Sequence, residues 1–148
     1  MIKLNLPDFD LKIKSKENKY FILDIIRKKY VVLTPEEWVR QNFLHFLIDH
    51  KKYPVSLIAV EKQLKINNLS KRTDILIFDK NAQPDIIVEC KAPSVRISQD
   101  TFDQIARYNL NLKAKYLIIT NGLQHYFAKM DQKEKKYEFL KDIPEYSK

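Results

Sequence analysis

Three short aliphatic runs constrain the fold most: residues 73–78 (TDILIF), 85–90 (DIIVEC) and 116–120 (YLIIT), each bounded by Asn, Asp, Pro or Gly. Apolar runs of this length read as core strands. Residues 98 to about 112, between the last two, read as a helix. Strand, helix, strand in that order predicts a crossover, and hence a mixed sheet with both faces covered. The fold class is therefore α/β rather than a helical bundle or a β-sandwich.

The flanking segments fit this frame. Residues 20–33 (YFILDIIRKKYVVL) are β-branched and aromatic, interrupted by Arg27, Lys28 and Lys29, and predict two short strands joined by a turn. A helix follows to about Asp49. Thr34 is its N-cap, Pro35 its first helical residue, and Glu36 and Glu37 occupy its first turn, with Thr34 and Glu37 spaced as a capping box. A second helix is expected after Pro54, in VSLIAVEKQLKI. Residues 125–130 (HYFAKM) predict a final strand, and the charged tail after Asp131 a short strand and a frayed end. No repeat or linker divides the 148 residues, and 45% hydrophobic content is enough for one core, so a single domain over 1–148 is expected.

Composition excludes several functions. No apolar run approaches the ~18–20 residues of a membrane span, and the N-terminus has no continuous apolar segment of the kind that leads a secreted chain. No membrane partner is expected, and the cytoplasm is the simplest compartment. One cysteine rules out an intramolecular disulfide and a cysteine zinc cluster. A formal charge of +8 fits a polyanionic partner, nucleic acid first, although the lysines are spread along the chain.

The chemistry lies at the strand ends. Side chains alternate along a strand, so Glu89 and Lys91 share a face, about 7 Å apart at ~3.3 Å per residue, while Cys90 points away as a core residue. Antiparallel pairing of the preceding strand brings Asp74 to the same end. Two hard carboxylate ligands with retained waters are how Mg²⁺ is commonly held. On a helical wheel Glu36 falls within about 20° of Phe43 and Leu47, in the middle of the apolar stripe and facing the sheet, whereas Glu37 lies about 100° away and reads as a helix-dipole acid. Gln104 and Tyr108, spaced i, i+4, share a helix face suited to phosphate oxygens or to supporting a lysine.

Taken in order, these elements resemble the PD-(D/E)xK nucleases. The branch they resemble is the N-terminal nuclease region of the restriction subunit of type I restriction enzymes. The resemblance spans about Thr34 to Gly122. It rests on Pro35, Glu36 and Arg40 of the first helix, on Arg72-Thr73-Asp74, on Glu89-Cys90-Lys91, on Gln104 and Tyr108, and on Asn121-Gly122. Thr73 stands where the motif's name has Pro.

The resemblance implies a restriction-endonuclease-like sheet flanked by helices and a Mg²⁺-dependent endonuclease of restriction-modification, with Mn²⁺ as a substitute ion. Asp74, Glu89 and the Cys90 carbonyl would hold the ion, with Glu36 completing the site. Lys91 would stabilise charge at phosphorus, and Gln104 and Tyr108 would position Lys91 or the nucleic-acid backbone. Arg40 and Arg72 would pair with a phosphate or with the acids. DNA is the implied partner, with room for a homodimer or partner subunits. The alternative is a nucleic-acid-binding or scaffold domain of the same fold with weak or no activity alone.

Overall fold

The structure, a computed structural model, describes residues 1–66 and 69–147, with the side chains of all of these except 62–72 and 111. Three strands, β1 (Ile13–Lys16), β2 (Lys19–Asp24) and β3 (Lys29–Val32), form a small antiparallel sheet in that order. β2 and β3 are the hairpin expected of residues 20–33. β1 was not anticipated: IKSK is exposed throughout, so it carries no burial pattern to read. The β2–β3 turn lacks the usual Asn-Gly, and the buried Asp24 builds it instead. Its Oδ1 accepts from the backbone N–H of Ile26 at 2.9 Å and of Arg27 at 3.0 Å, and Lys28 takes the left-handed φ of 56°.

Helix α1 (Pro35–His45) begins as expected, with Thr34 Oγ1 accepting from the Glu37 N–H at 3.0 Å. It continues to His50 as a π-helical turn, Phe46–His50. The helix expected after Pro54 is not one. A 3₁₀ turn, Val55–Leu57, leads into strand β4 (Ile58–Ile66), which pairs antiparallel with β5 (Leu69–Phe78) from Ile58↔Ile77 to Ile66↔Leu69. The segment Glu61-Lys62-Gln63-Leu64-Lys65 is rich in good helix formers, and pairing with the strand that follows overrides that local preference.

Strands β6 (Pro84–Cys90), β7 (Tyr116–Thr120), β8 (His125–Asp131) and β9 (Lys136–Leu140) complete a six-stranded sheet ordered β4-β5-β6-β7-β8-β9. β6 and β7 are parallel and joined through helix α2 (Gln99–Asn109), which Ser98 caps; the other neighbours are antiparallel. Alternation divides the core. Ile75, Ile77, Ile86 and Val88 pack with Val39, Phe43 and Leu47 of α1. Leu76, Ile87, Leu117 and Ile119 pack with Phe102 and Ala106 of α2.

The turn after β7 fixes the segment that follows β6. Lys91 donates its N–H to the Thr120 carbonyl at 2.8 Å, and Asn121 Nδ2 donates to the Val95 carbonyl at 2.9 Å. Gly122 completes the turn at φ +86°, and Leu4 of the N-terminal segment lies over it, so that a Cβ there would sit 2.6 Å from Leu4 Cδ2. Gly122→Ala is expected to lower stability by about 1–2 kcal/mol through the positive φ and the displaced Leu4. The readout is the urea midpoint at unchanged m-value, and an unmoved midpoint refutes the assignment.

Candidate active site

The pairing register aligns three carboxylates. On β4 and β5, the pairs Val60↔Ile75 and Lys62↔Thr73 bracket Glu61 and Asp74. On β5 and β6, the rung beyond Ile75↔Val88 is Asp74 opposite Glu89. Glu61, Asp74 and Glu89 therefore occupy one rung of three neighbouring strands, where the regular ladder gives way. Glu61 adopts a left-handed φ of 52°, a conformation that costs a non-glycine residue about 1–3 kcal/mol. Asp74 Oδ2 accepts the backbone N–H of Cys90 at 2.7 Å.

A buried guanidinium sits among the acids. Arg40, 5% exposed, reaches inward from α1. Its Nη1 lies 2.6 Å from Glu61 Oε1 and 3.2 Å from Glu37 Oε1, and its Nη2 lies 3.3 Å from Asp74 Oδ1 and 3.7 Å from Glu36 Oε1. The second oxygen of Glu61 is 3.4 Å from Nη1 of Arg27, whose Nε bonds Asp24 at 2.7 Å. Glu37 Oε2 accepts from Gln41 Nε2 at 3.0 Å. Burial works against the Arg40 cation, but the charges of Glu37 and Asp74 and the bond to Glu61 hold it above its ordinary range. For Asp74 burial dominates. It pushes the carboxyl up to about 6, with Glu89 and Glu36 adding to the rise and the Cys90 N–H and Arg40 opposing it. Burial likewise raises the Cys90 thiol, so it stays a neutral core group.

Asp74 and Glu89 converge as the antiparallel register requires. Glu36 and Glu37 exchange their expected roles. Glu36 is half-exposed, with 48% of its side chain accessible, whereas Glu37 is buried against Arg40 and Gln41. Helical side chains lean toward the N-terminus, so a first-turn residue overhangs the packed face even when its wheel angle is right. Glu36 still lies at the rim of the cluster, its Oε1 3.7 Å from Arg40 Nη2. Arg40 pairs with acids in the interior. The side chain of Arg72 lies outside the described residues.

Lys91 is half-buried just past β6, and the cation that bears most on Asp74 is Arg40 rather than Lys91. Gln104 and Tyr108 lie on the exposed side of α2, away from its buried Phe102 and Ala106, and neither is among the principal influences on Asp74.

Glu61 escaped the sequence reading because its segment resembled a helix. A signal was present: Ala59-Val60-Glu61 ends an aliphatic run with Val-Glu, as Ile87-Val88-Glu89 does on the same rung. Among the described residues, no group of three or more His, Cys, Asp or Glu side chains is arranged to hold a metal ion.

Comparison with known proteins places this geometry in context. A family model described as type I restriction enzyme R protein N terminus matches residues 35–144. Among solved structures, a fragment described as an HsdR subunit of a type I restriction enzyme from Vibrio vulnificus YJ016 superposes with a TM-score of 0.52 at 19% identity. The match covers 76% of this chain and 24% of that one, so the chain spans about a quarter of the fragment's length and the likeness is one of fold. No curated protein matches the chain.

The raised Asp74 carboxyl has a sign that can be tested. Moving from 3.8 to about 6, the folded state binds the proton more tightly than the unfolded chain. Asp74 therefore favours folding below about pH 4, and this contribution is lost as pH rises through about 6. The stability of Asp74→Asn relative to wild type is expected to rise by about 2–3 kcal/mol between pH 4 and pH 7. Paired urea titrations across that range measure it, and a flat difference refutes the assignment.

Proposed function

Because the chain belongs to the family of type I restriction enzyme R protein N termini, we propose that it is a Mg²⁺-dependent nuclease domain that hydrolyses the phosphodiester bonds of DNA. The observation that carries this reading is the single rung of Glu61, Asp74 and Glu89 with Lys91 two residues beyond Glu89.

Asp74 and Glu89, with the Cys90 carbonyl, would hold Mg²⁺ or Mn²⁺. The donor set suits a hard cation that keeps most of its waters, and a desolvated carboxyl such as Asp74 gains from a cation beside it. When bound, the ion supplies positive charge at a phosphate oxygen and acidifies water. The protein's own groups supply the rest. Lys91, as a cation, stabilises negative charge developing on the phosphoryl oxygens. Glu36, at the half-exposed mouth, orients water. Glu61 fixes Arg40, and Arg40 holds Glu37 and Asp74 in register. Gln104 and Tyr108 offer an amide and a phenol to the backbone along the exposed side of α2, and Arg72 offers a guanidinium for a phosphate. Such contacts are with groups common to every sequence, so little sequence specificity is expected of this domain. Within a restriction assembly it would act with partner subunits or as a homodimer.

One observation favours a second reading, a nucleic-acid-binding or scaffold domain with weak or no activity alone. Arg40 already compensates the acids without an added cation.

Plasmid cleavage separates the two. A nuclease nicks DNA in Mg²⁺, loses activity in EDTA, and loses about 10²–10³-fold in rate with Lys91→Ala. Wild-type protein that binds DNA in a salt-dependent manner but never cuts it supports the binding domain instead.

A further inference from the structure

The small sheet presents a face that the candidate active site does not use. Register sets its composition. Ile13↔Ile22↔Val31 and Asp24↔Lys29 lie on one side, where Ile22 and Asp24 are fully buried against the body. The opposite side carries Lys14, Phe21 and Val32 on one rung and Lys16 with Lys19 on another. Lys12, whose carbonyl accepts the Leu23 N–H, joins Leu23 and Tyr30 on a third. Four exposed lysines thus surround a shallow apolar centre that includes Tyr30 and Val32, 38% and 51% exposed. Lys12, Lys14 and Lys16 repeat at about 7 Å along β1. Lys14 Nζ stands 4.1 Å from the centroid of the Tyr30 ring, a cation–π contact. The only acid within the three strands is Asp24, on the buried side and paired with Arg27; Glu17 is in the β1–β2 turn.

We infer that this lysine-rimmed face is a docking surface for a nucleic-acid backbone. Charge complementarity supports the assignment: ammonium groups at regular spacing receive phosphates, and Tyr30 and Val32 receive the sugar faces between them. The surface is tied to the acid rung. Arg27, in the β2–β3 turn, bonds both Asp24 and Glu61, and the Ile25 N–H reaches Gln41 Oε1 of α1 at 3.4 Å. A backbone held on the face is thereby kept in fixed relation to Glu61 and Asp74. The inference rests on nucleic acid being the partner and does not require cleavage. A competing use of these lysines is protection of β1, an edge strand, against pairing with another sheet.

Fluorescence anisotropy with a short mixed-sequence DNA duplex, in EDTA and from about 50 to about 200 mM salt, distinguishes these roles. In Lys12/Lys14/Lys16/Lys19→Gln, the slope of log K against log salt is expected to fall in magnitude by about 2–4, at about 0.9 for each phosphate no longer neutralised, with at least a tenfold loss of affinity at the low-salt end. Lys133/Lys135/Lys136/Lys141→Gln removes the same charge from exposed positions elsewhere and is expected to leave the slope within about 1 of wild type. A double variant, Lys14/Lys16→Gln, falls between them and guards against misfolding of the fourfold one. Equal losses in both fourfold variants overturn the proposal, as does wild-type protein that fails to bind the duplex. Aggregation of the first variant with unchanged affinity overturns it in favour of edge protection. Because binding is read in EDTA, an inactive wild type leaves the result interpretable.

Discussion

The interior of this domain is organised around one buried cation. A guanidinium taken out of water is tolerable only when carboxylates surround it, and Arg40 has Glu37, Glu61 and Asp74 at 3.3 Å or less. Those partners come from α1, β4 and β5, and through Glu61 the pairing extends to Arg27 and Asp24 of the small sheet. The charged chain specifies one arrangement, because removing one member of a buried pair costs about 3–5 kcal/mol by stranding its partner. Within this network Glu37 lies inward beside Arg40 and Gln41, while Glu36 stays at the rim.

The destabilising features collect at one rung. Glu61 holds a left-handed backbone in mid-strand, Asp74 is desolvated enough to titrate near 6, and the β5–β6 ladder is replaced there by a side-chain bond to the Cys90 amide. The central aliphatic residues of β5, β6 and β7 are buried in both clusters, and the β5–β6 register shifts once more between Ile77 and Phe78. Local cost concentrated where acids converge, inside an otherwise well-satisfied fold, is the pattern expected of a functional centre. It is also the rung that carries Asp74 and Glu89, two of the residues on which the sequence resemblance rests.

What the sequence disclosed follows from the range of the interactions involved. β5, β6 and β7 were legible because burial on both faces writes an aliphatic run into each, and the convergence of Asp74 and Glu89 followed from antiparallel order alone. β4 was not, since its central residues favour helix and only pairing with the strand that follows it, β5, makes it a strand. That error hid Glu61. The wheel angle of Glu36 was sound, but a wheel has no ends, and burial in the first turn depends on where the packed face stops. β1 carried no signal because nothing buries it. Arg40 was named from the motif with phosphate and acids both open to it, and only packing could choose the acids.

The distances within the acid cluster differ enough to separate its members. Arg40 is anchored at 2.6 Å to Glu61, and its contacts with Glu37 at 3.2 Å, Asp74 at 3.3 Å and Glu36 at 3.7 Å are longer. Charge-assisted N–H···O bonds are strongest near 2.7–2.9 Å, so the firm partner is the strained Glu61. Asp74 spends Oδ2 on the Cys90 amide and is left with a long contact at Oδ1, in surroundings that disfavour its charge. Glu61 takes the shortest contact of the guanidinium, and Asp74 lies further from it. Without Glu61, Arg40 would keep Glu37 at 3.2 Å and Asp74 at 3.3 Å as its nearest partners, and more of its charge would fall to Asp74.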